Sequence, residues 1–581
     1  MTRERVTRVP GLVLALALAC SAPPEGGVDP GEVPAAGAPA EAAPRFVDIT
    51  AESGIDHVLP SGTDSTYPMP AVMGAGVALF DADADGDLDL YFIAPTPGGN
   101  RFYLQQDDGS FTDATAAAGL EGDGMGAAAG DLDNDGDVDL YLTRVGPDRL
   151  LLNDGNATFT DRTVAWGAAT PGWSSSAALL DYDRDGYLDI YVARYVAFDP
   201  ERVCSQHGGR RDFCGPTEFE GLSDVLLHNL GGGGFEDVSA AAGITAVEDA
   251  GLGVVAADFD HDGEVDIYVA NDADPNNLWI HEGGGRFIND AVLQGAAFNR
   301  WGNSEAGMGI GTGDADLDLD LDLFVTHLIT ETNTYYRNLM LPGFEDATIE
   351  SDLGAASLDL TGFGTAFFDA DNDGDLDLAV ANGAVKRRPA ALAPLGDPGA
   401  TGSQEATGSL PAVWADYGEP NLLLINQGGR FTDASSEAPW TALGLSRALV
   451  PADLDRDGDL DVVIANLDRA PQVLRNLTID NAVPPPPAAN WLQIRAVDPR
   501  LNREAIGARL TVRTASGPRL LHVLSSGGYL STGPATAHLG LGTANAVGSF
   551  DVVWPDGLAE TFDGAAANQI VELIRGEGSP P

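Results

Sequence analysis

The stretch Asp81-Ala82-Asp83-Ala84-Asp85-Gly86-Asp87-Leu88-Asp89 decides the fold, because it returns six more times along the chain. The later copies begin at Asp131, Asp181, Asp258, Asp314, Asp369 and Asp453 and read Asp-x-Asp-x-Asp-Gly-x-x-Asp or a close variant. A unit repeated at such spacing is one supersecondary element of a repeat architecture. Closely spaced carboxylates on a tight turn form a hard-oxygen cage suited to Ca²⁺. Carboxylates at loop positions one, three, five and nine converge on one ion, the backbone carbonyl of position seven adds an oxygen, and Gly at position six supplies a positive φ.

The candidate ligands are Asp81, Asp83, Asp85, Asp87 and Asp89, then Asp131, Asp133, Asp135, Asp137 and Asp139. The third loop offers Asp181, Asp183, Asp185, Tyr187 and Asp189, and the fourth Asp258, Asp260, Asp262, Glu264 and Asp266. The sixth offers Asp369, Asp371, Asp373, Asp375 and Asp377, and the seventh Asp453, Asp455, Asp457, Asp459 and Asp461. The fifth, with Asp314, Asp316, Asp318, Asp320 and Asp322, carries Leu319 at position six. A left-handed Leu costs roughly 1–2 kcal/mol, so this loop reads as a weakened or empty site. The expectation is about six to seven Ca²⁺ ions. Polar hairpin turns alone would need one or two such residues, and carboxylates this close repel unless a cation sits among them. No Glu stands at position twelve, so these are not EF-hands.

Apolar runs such as Leu88–Ile93 and Val265–Val269 follow the loops and read as strands. A second element, Phe-x-Asp, appears at Phe46, Phe111, Phe159, Phe235, Phe344 and Phe431, with Phe287-Ile288-Asn289 as a weaker copy. The first Phe-x-Asp precedes the first acidic loop, and none follows the last. Residues 45–54 therefore supply the strand that the final unit lacks, which is how a propeller closes and removes its exposed edges. Loop starts lie about 50 to 84 residues apart; the shorter intervals suit a four-stranded blade of roughly 40–50 residues. The fold predicted is all-β: a seven-bladed propeller over 45–478, with insertions at about 198–222 and 384–416, then a small β-sandwich-like domain. A linear solenoid fits less well, because the repeats are offset from the chain ends.

The 581 residues carry a formal net charge of −57. Thirty-four of the 88 acidic residues belong to the loops, five in each but the third, which has four. Much of the charge is thus a site property, and it argues against a nucleic-acid partner. Residues 1–20 read as a signal peptide: Arg3, Arg5 and Arg8, an apolar run from Leu12 to Ala19, then Cys20. Ala17-Leu18-Ala19-Cys20 resembles a lipobox, in which Cys20 is lipidated, with Ala17 where Leu is usual; ordinary signal peptidase cleavage also fits. An Ala/Pro/Gly-rich tether follows over 21–44. The expected location is the outer membrane or cell surface as a lipoprotein, otherwise secreted, with membrane contact only through Cys20. Cys204 and Cys214 remain; a disulfide is the default in an exported chain, and a Zn²⁺ site with His207 has only three ligands in sight. Lys386-Arg387-Arg388 in the second insertion reads as a flexible, solvated loop, with docking of an anionic partner as the alternative.

The linker 479–489 holds four consecutive prolines, Pro484–Pro487, and strand-like runs separated by turns resume from Asn490. Asn490-Trp491-Leu492, Asn502–Arg509, Gly527-Gly528-Tyr529, His538–Gly542 and Trp554-Pro555-Asp556-Gly557 resemble the ASPIC/UnbV domain, here spanning 490–577. The acidic loops resemble the FG-GAP or VCBS repeats of integrin-α-type propellers. Together they resemble the family of cartilage acidic protein and its bacterial relatives, with Ala384 where relatives tend to carry His. The resemblance implies an extracellular Ca²⁺-binding protein of adhesive or matrix type. The chain lacks a Gly-x-Ser-x-Gly elbow, His-Glu-x-x-His or phosphate loop, and His228, His281, His327 and His522 read as ordinary surface or core residues. The reading is a surface-anchored, non-enzymatic adhesion or interaction module for an extracellular protein or glycan. The alternatives are a polysaccharide-lyase-like enzyme on a calcium-stabilised propeller and an envelope-complex scaffold.

Overall fold

The computed structural model describes residues 44–63, 66–205, 209, 211–388, 411–479 and 489–581. The leader, Cys20, most of the tether, His207, nearly all of the proline linker and part of the second insertion lie outside them.

Each acidic loop joins the first two strands of an antiparallel four-stranded meander. In the first blade these are Gly76–Phe80, Asp89–Ile93, Arg101–Gln105 and Phe111–Asp113. Seven such sheets follow one another, and the inner strand of each lies against the next, round to Ser446–Ala452 of the seventh against Gly76–Phe80 of the first. The seventh sheet takes its outermost strand from the N-terminal side of the chain: Phe46–Asp48 pairs antiparallel with Gln472–Asn476, with Phe46 opposite Asn476. The ring needs backbones close together at its axis. A Cβ on Gly309 would fall 2.0 Å from the Phe363 carbonyl oxygen of the next blade, so only glycine fits there.

The Phe-x-Asp copies are the outermost strands of all seven sheets. Their phenylalanines pack inward between blades; Phe80, Phe102 and Phe159 form one such contact. Their aspartates end the strand. Asp113 Oδ1 accepts from the N–H (2.9 Å) and hydroxyl (2.6 Å) of Thr115, whose Oγ1 accepts from Phe102 N–H (2.8 Å). The same arrangement recurs at Asp48/Thr50, Asp161/Thr163 and Asp237/Ser239; at Asp433/Ser435 the N–H bond is kept, while the Ser435 hydroxyl donates to Leu423 carbonyl (3.3 Å).

The C-terminal domain has two sheets. Asn490–Val497 lies between Ala537–Gly542 and Gln569–Ile574, and Arg509–Thr514 between Gly517–His522 and Ser549–Val553, with Ala559–Asp563 beyond. Leu492, Ile494, Leu510, Val512, Phe550 and Trp554 fill the space between them. This domain rests on the acidic-loop face of the ring. Gly542 N–H donates to Asn372 carbonyl (2.7 Å), Asn502 N–H to Asn134 Oδ1 (2.6 Å), and His538 Nε2 lies 3.1 Å from Gly458 carbonyl. A Cβ on Gly540 would meet Asp369 Oδ2 at 2.0 Å, which explains a glycine at that point.

From the domain, residues 525–533 run down the central channel. Ser525 Oγ bonds both the N–H and the carbonyl of Leu179 (3.1 Å each), Gly528 exchanges two backbone bonds with Ile310, and Leu530 N–H donates to Ser176 Oγ (3.1 Å). Ser531–Thr532 adds a parallel fifth strand to the first blade beside Val77 and Ala78. Tyr529 reaches deepest, with its hydroxyl on Met73 carbonyl (2.9 Å) and its ring edge-on to Phe363 (4.9 Å). Arg447 lies buried here over Phe363 and donates to the carbonyls of Val72, Gly383 and Ser446.

The insertions connect second to third strands and so emerge at the opposite face, over 195–224 and 383–421. Cys204 and Cys214 form a disulfide, in keeping with export. The basic run departs from the solvated loop expected. Arg387 has a side chain only 8% exposed, donates to Tyr67 hydroxyl (2.8 Å) and Arg211 carbonyl (2.7 Å), and lies 3.5 Å from Asp212 and from Asp416. Arg388 donates to Asp359 carbonyl (2.7 Å) and lies 3.7 Å from Glu419. Aromatic neighbours explain the difference: Phe213 stacks on Trp414 at 5.7 Å, and Arg387 sits between the rings of Tyr67 and Tyr417. The guanidinium thus joins the two insertions to residues before the first blade.

Candidate metal centres

All seven loops adopt one backbone design. The position-six N–H donates to Oδ2 of the first aspartate at 2.8–3.2 Å. The last aspartate of each loop clamps two elements. Its Oδ2 accepts from position two at 2.9–3.2 Å, and its Oδ1 from the end of the third strand at 2.7–2.9 Å. Among the loops that bring three carboxylates within 4.8 Å of one another are Asp81/Asp83/Asp85, Asp131/Asp133/Asp139, Asp181/Asp183/Asp185 and Asp258/Asp260/Asp262.

A cation fits this geometry for a reason beyond the clustering. In six loops the remaining Oδ1 of the first aspartate is buried with no hydrogen-bond partner: Asp81, Asp131, Asp181, Asp258, Asp314 and Asp453. A buried, unpaired carboxylate oxygen is costly unless something positive meets it. In the sixth loop Asp369 Oδ1 instead accepts from Asp373 N–H (3.1 Å). Burial, with neighbouring aspartates adding to it, pushes Asp131, Asp181, Asp314 and Asp453 up to about 7. Asp139 rises to about 9, chiefly by burial. A divalent ion would reverse each of these shifts.

Leu319 occupies the same left-handed region (φ 76°) as the glycines of the other loops, and its N–H still reaches Asp314 Oδ2 (3.2 Å). The fifth loop is therefore formed despite its leucine, and the cost is held as backbone strain. Leu319→Gly is expected to raise stability by about 1 kcal/mol, read as a higher urea midpoint with unchanged m-value. An unchanged midpoint would show that the leucine is not strained.

Two recurring partners escaped the sequence reading. Position four of every loop is a left-handed non-glycine residue: Ala84, Asn134, Arg184, His261, Leu317, Asn372 and Arg456. Where that side chain is long or polar it reaches the next loop in the ring. Asn134 donates to Gly186 carbonyl (3.1 Å) and Asn372 to Gly458 carbonyl (3.2 Å). Arg184 pairs with Glu264 (3.2 Å), Arg456 with Asp87 (2.7 Å), and His261 lies 3.8 Å from Asp320. The second partner is the amide ending most third strands, which donates to position two of the preceding blade's loop. Asn153, Asn229, Asn338, Asn426 and Asn476 do so at 2.8–2.9 Å, and Gln105 bonds Leu454 carbonyl (2.8 Å) between the first and seventh blades. The repeated Asn after an apolar run was the signal that could have found it.

His228 is also no bystander. Its Nδ1 lies 3.2 Å from Asp189 Oδ1 and 3.6 Å from Asp183 Oδ2, and the hydrogen bond to Asp189 holds the imidazole up at about 9. The C-terminal domain brings further positive charge to the loops: Arg509 lies 3.3 Å from Asp258, and Arg503 3.8 Å from Asp131.

Residues 498–580 match the family described as ASPIC and UnbV, and residues 81–142, 136–192 and 409–464 match the FG-GAP-like repeat. The chain is an FG-GAP-repeat protein with a C-terminal ASPIC/UnbV domain. It is homologous to cartilage acidic protein 1, being 23% identical to that of Homo sapiens over 64% of this chain and 45% of the relative. The Mus musculus protein is 24% identical over 67% of this chain and 47% of its own. The FG-GAP/ASPIC chain thus spans about half the length of the curated relatives it matches. Among solved structures it resembles rhamnogalacturonan lyase YesW (16% identity, 69% of this chain and 71% of that one, TM-score 0.34). It also resembles an Agrocybe aegerita protein described as recognising non-reducing terminal N-acetylglucosamine (15% identity, 62% and 79%, TM-score 0.31).

Proposed function

We propose that this chain is an exported, calcium-loaded propeller that works as an interaction module for an extracellular protein or glycan, with no catalytic site of its own. Cys20 would carry a lipid anchor and residues 21–44 would hold the ring away from the membrane. The observation that carries the reading is the seating of the C-terminal domain on the acidic-loop face and into the channel. Ions on that face lie between two parts of one chain, so their role is to rigidify the ring and its lid. A partner then meets the opposite face, where the two insertions build a surface held by the Cys204–Cys214 bridge and Arg387.

The test is to probe the purified chain against defined glycan and extracellular-protein arrays in 1 mM Ca²⁺ and in chelator. A calcium-dependent ligand is expected whose binding falls when exposed insertion residues such as Val203 and Arg202 are changed to alanine. A ligand insensitive to those changes, or turnover of a glycan by the chain, would overturn the assignment of face or of non-enzymatic role respectively.

A further inference from the structure

The seven loops do not share one donor set. The fourth residue of each third strand stands beside the loop, and it sorts the blades. It is Leu104, Leu152, Ile280 and Ile425 in the first, second, fourth and sixth. In the fifth and seventh it is arginine: Arg337 lies 3.8 Å from Asp316 and Arg475 lies 3.1 Å from Asp455. Those loops hold a guanidinium charge beside a ligand carboxylate. In the third it is His228, which alone of these seven residues can offer a neutral nitrogen lone pair; His281, the next residue in the fourth blade, lies 3.4 Å from Glu264 but accepts Gly285 N–H at Nε2 (3.1 Å), so its Nδ1 carries the proton.

His228 Nδ1, Asp183 Oδ2 and Asp189 Oδ1 form a group of ligand atoms within 4.8 Å of one another, and Asp183 also belongs to the group with Asp181 and Asp185. The separations of Nδ1 from the two carboxylate oxygens, 3.2 and 3.6 Å, are close to the edge of a coordination sphere of about 2.0–2.3 Å radius. The third loop shares with five others the buried oxygen that marks a cation site. Asp181 is 8% exposed, and its Oδ1 is buried in this loop without a partner. Calcium takes oxygen donors, whereas imidazole suits zinc, copper, iron and nickel, so a histidine nitrogen added to two carboxylates favours such ions over calcium.

We propose that the third loop is a separate centre for a divalent transition ion, held by His228 Nδ1 with Asp183 and Asp189, while the oxygen-only loops take calcium. The proposal rests on reading the loops as cation sites. In the apo state His228 donates to Asp189, and the ion replaces that proton between the same two atoms.

Full-length chain in excess Ca²⁺ would be titrated with Cu²⁺, followed by calorimetry and by pulsed EPR for nitrogen coupling. One Cu²⁺ equivalent that calcium does not displace, with one histidine nitrogen coupled to it, is expected. His228→Leu installs the residue of the first two blades. It should weaken that equivalent by roughly tenfold or more and abolish the nitrogen coupling, leaving the calcium-induced rise in unfolding midpoint intact. No retained Cu²⁺ in the calcium-saturated wild type, or coupling that survives in His228→Leu, would overturn the selectivity. Absence of any calcium-induced rise in wild type and variant alike would instead overturn the reading of the loops as cation sites, and the third centre with it.

Discussion

Calcium added to chelator-treated chain is expected to raise the thermal unfolding midpoint by on the order of 10 °C, and magnesium to do far less. At a concentration a hundredfold above its dissociation constant, one ion that binds only the folded state adds about 2.7 kcal/mol. Several loops acting together reach on the order of 15 kcal/mol, a large change even for a chain of this size. The physical source is the buried first aspartate. Without an ion, its Oδ1 in six loops faces other carboxylates and no donor. Magnesium demands near-ideal octahedral geometry and gives up water reluctantly, so a loop of closely spaced aspartates suits it poorly.

The same carboxylates set a pH dependence whose sign depends on the ion. In chelator, Asp89, Asp131, Asp181, Asp314 and Asp453 stand at about 7 and Asp459 at about 8, above the ordinary range, first because of burial. A raised folded-state value means that the folded chain binds more protons than the unfolded one between about pH 4 and 8. Stability without calcium should therefore fall as pH rises through that window. With calcium bound the ligands are held ionised, and the fall should vanish or reverse. Midpoints at pH 5 and 8, each with calcium and with chelator, give the comparison. A calcium effect equal at both pH values would show that the loops titrate independently of any ion.

The ring was legible because its signals are local. Asp-x-Asp-x-Asp-Gly marks each first turn and Phe-x-Asp each outer strand, and their offset foretold the pairing of Phe46–Asp48 with the last sheet. Three things were hidden. The position-four residues are as varied as Ala84, Asn134, Arg184, His261 and Leu317; what they share is a backbone conformation, which composition does not reveal. Arg387 reads as one more solvated base until Tyr67, Asp212 and Tyr417, drawn from three distant segments, are seen around it. The docking of the C-terminal domain depends on Gly540 meeting the sixth acidic loop and the 525–533 segment meeting inner strands, all far away in sequence. Long-range contacts of that kind leave glycines and a tyrosine in the sequence without saying what they face.

Tyr529→Ala is expected to destabilise the chain by about 3–5 kcal/mol, the range for deleting a fully buried aromatic side chain from a packed core. The ring is 1% exposed and packs edge-on to Phe363, and its hydroxyl is bonded to Met73 carbonyl. Truncation leaves a cavity beside Phe363 and strips a partner from the Met73 carbonyl. Tyr529→Phe keeps the volume and loses only the hydrogen bond, so it should cost about 1 kcal/mol. The difference between the two variants separates packing from polarity. Their effect should also extend beyond stability, because Tyr529 lies in the middle of the segment that joins the domain to three inner strands. In Tyr529→Ala, amide exchange is expected to quicken in residues 525–533 and in the domain sheets on the acidic-loop face, and limited proteolysis to open that segment first. Exchange confined to Tyr529 and its immediate neighbours would mean that the domain is held by its contacts with the loops alone. Gly540→Ala addresses that surface directly, since its methyl group would collide with Asp369 and the backbone of Asn372. Loss of protection in the domain sheets of Gly540→Ala but not of Tyr529→Ala would place the anchor at the acidic loops instead of in the channel.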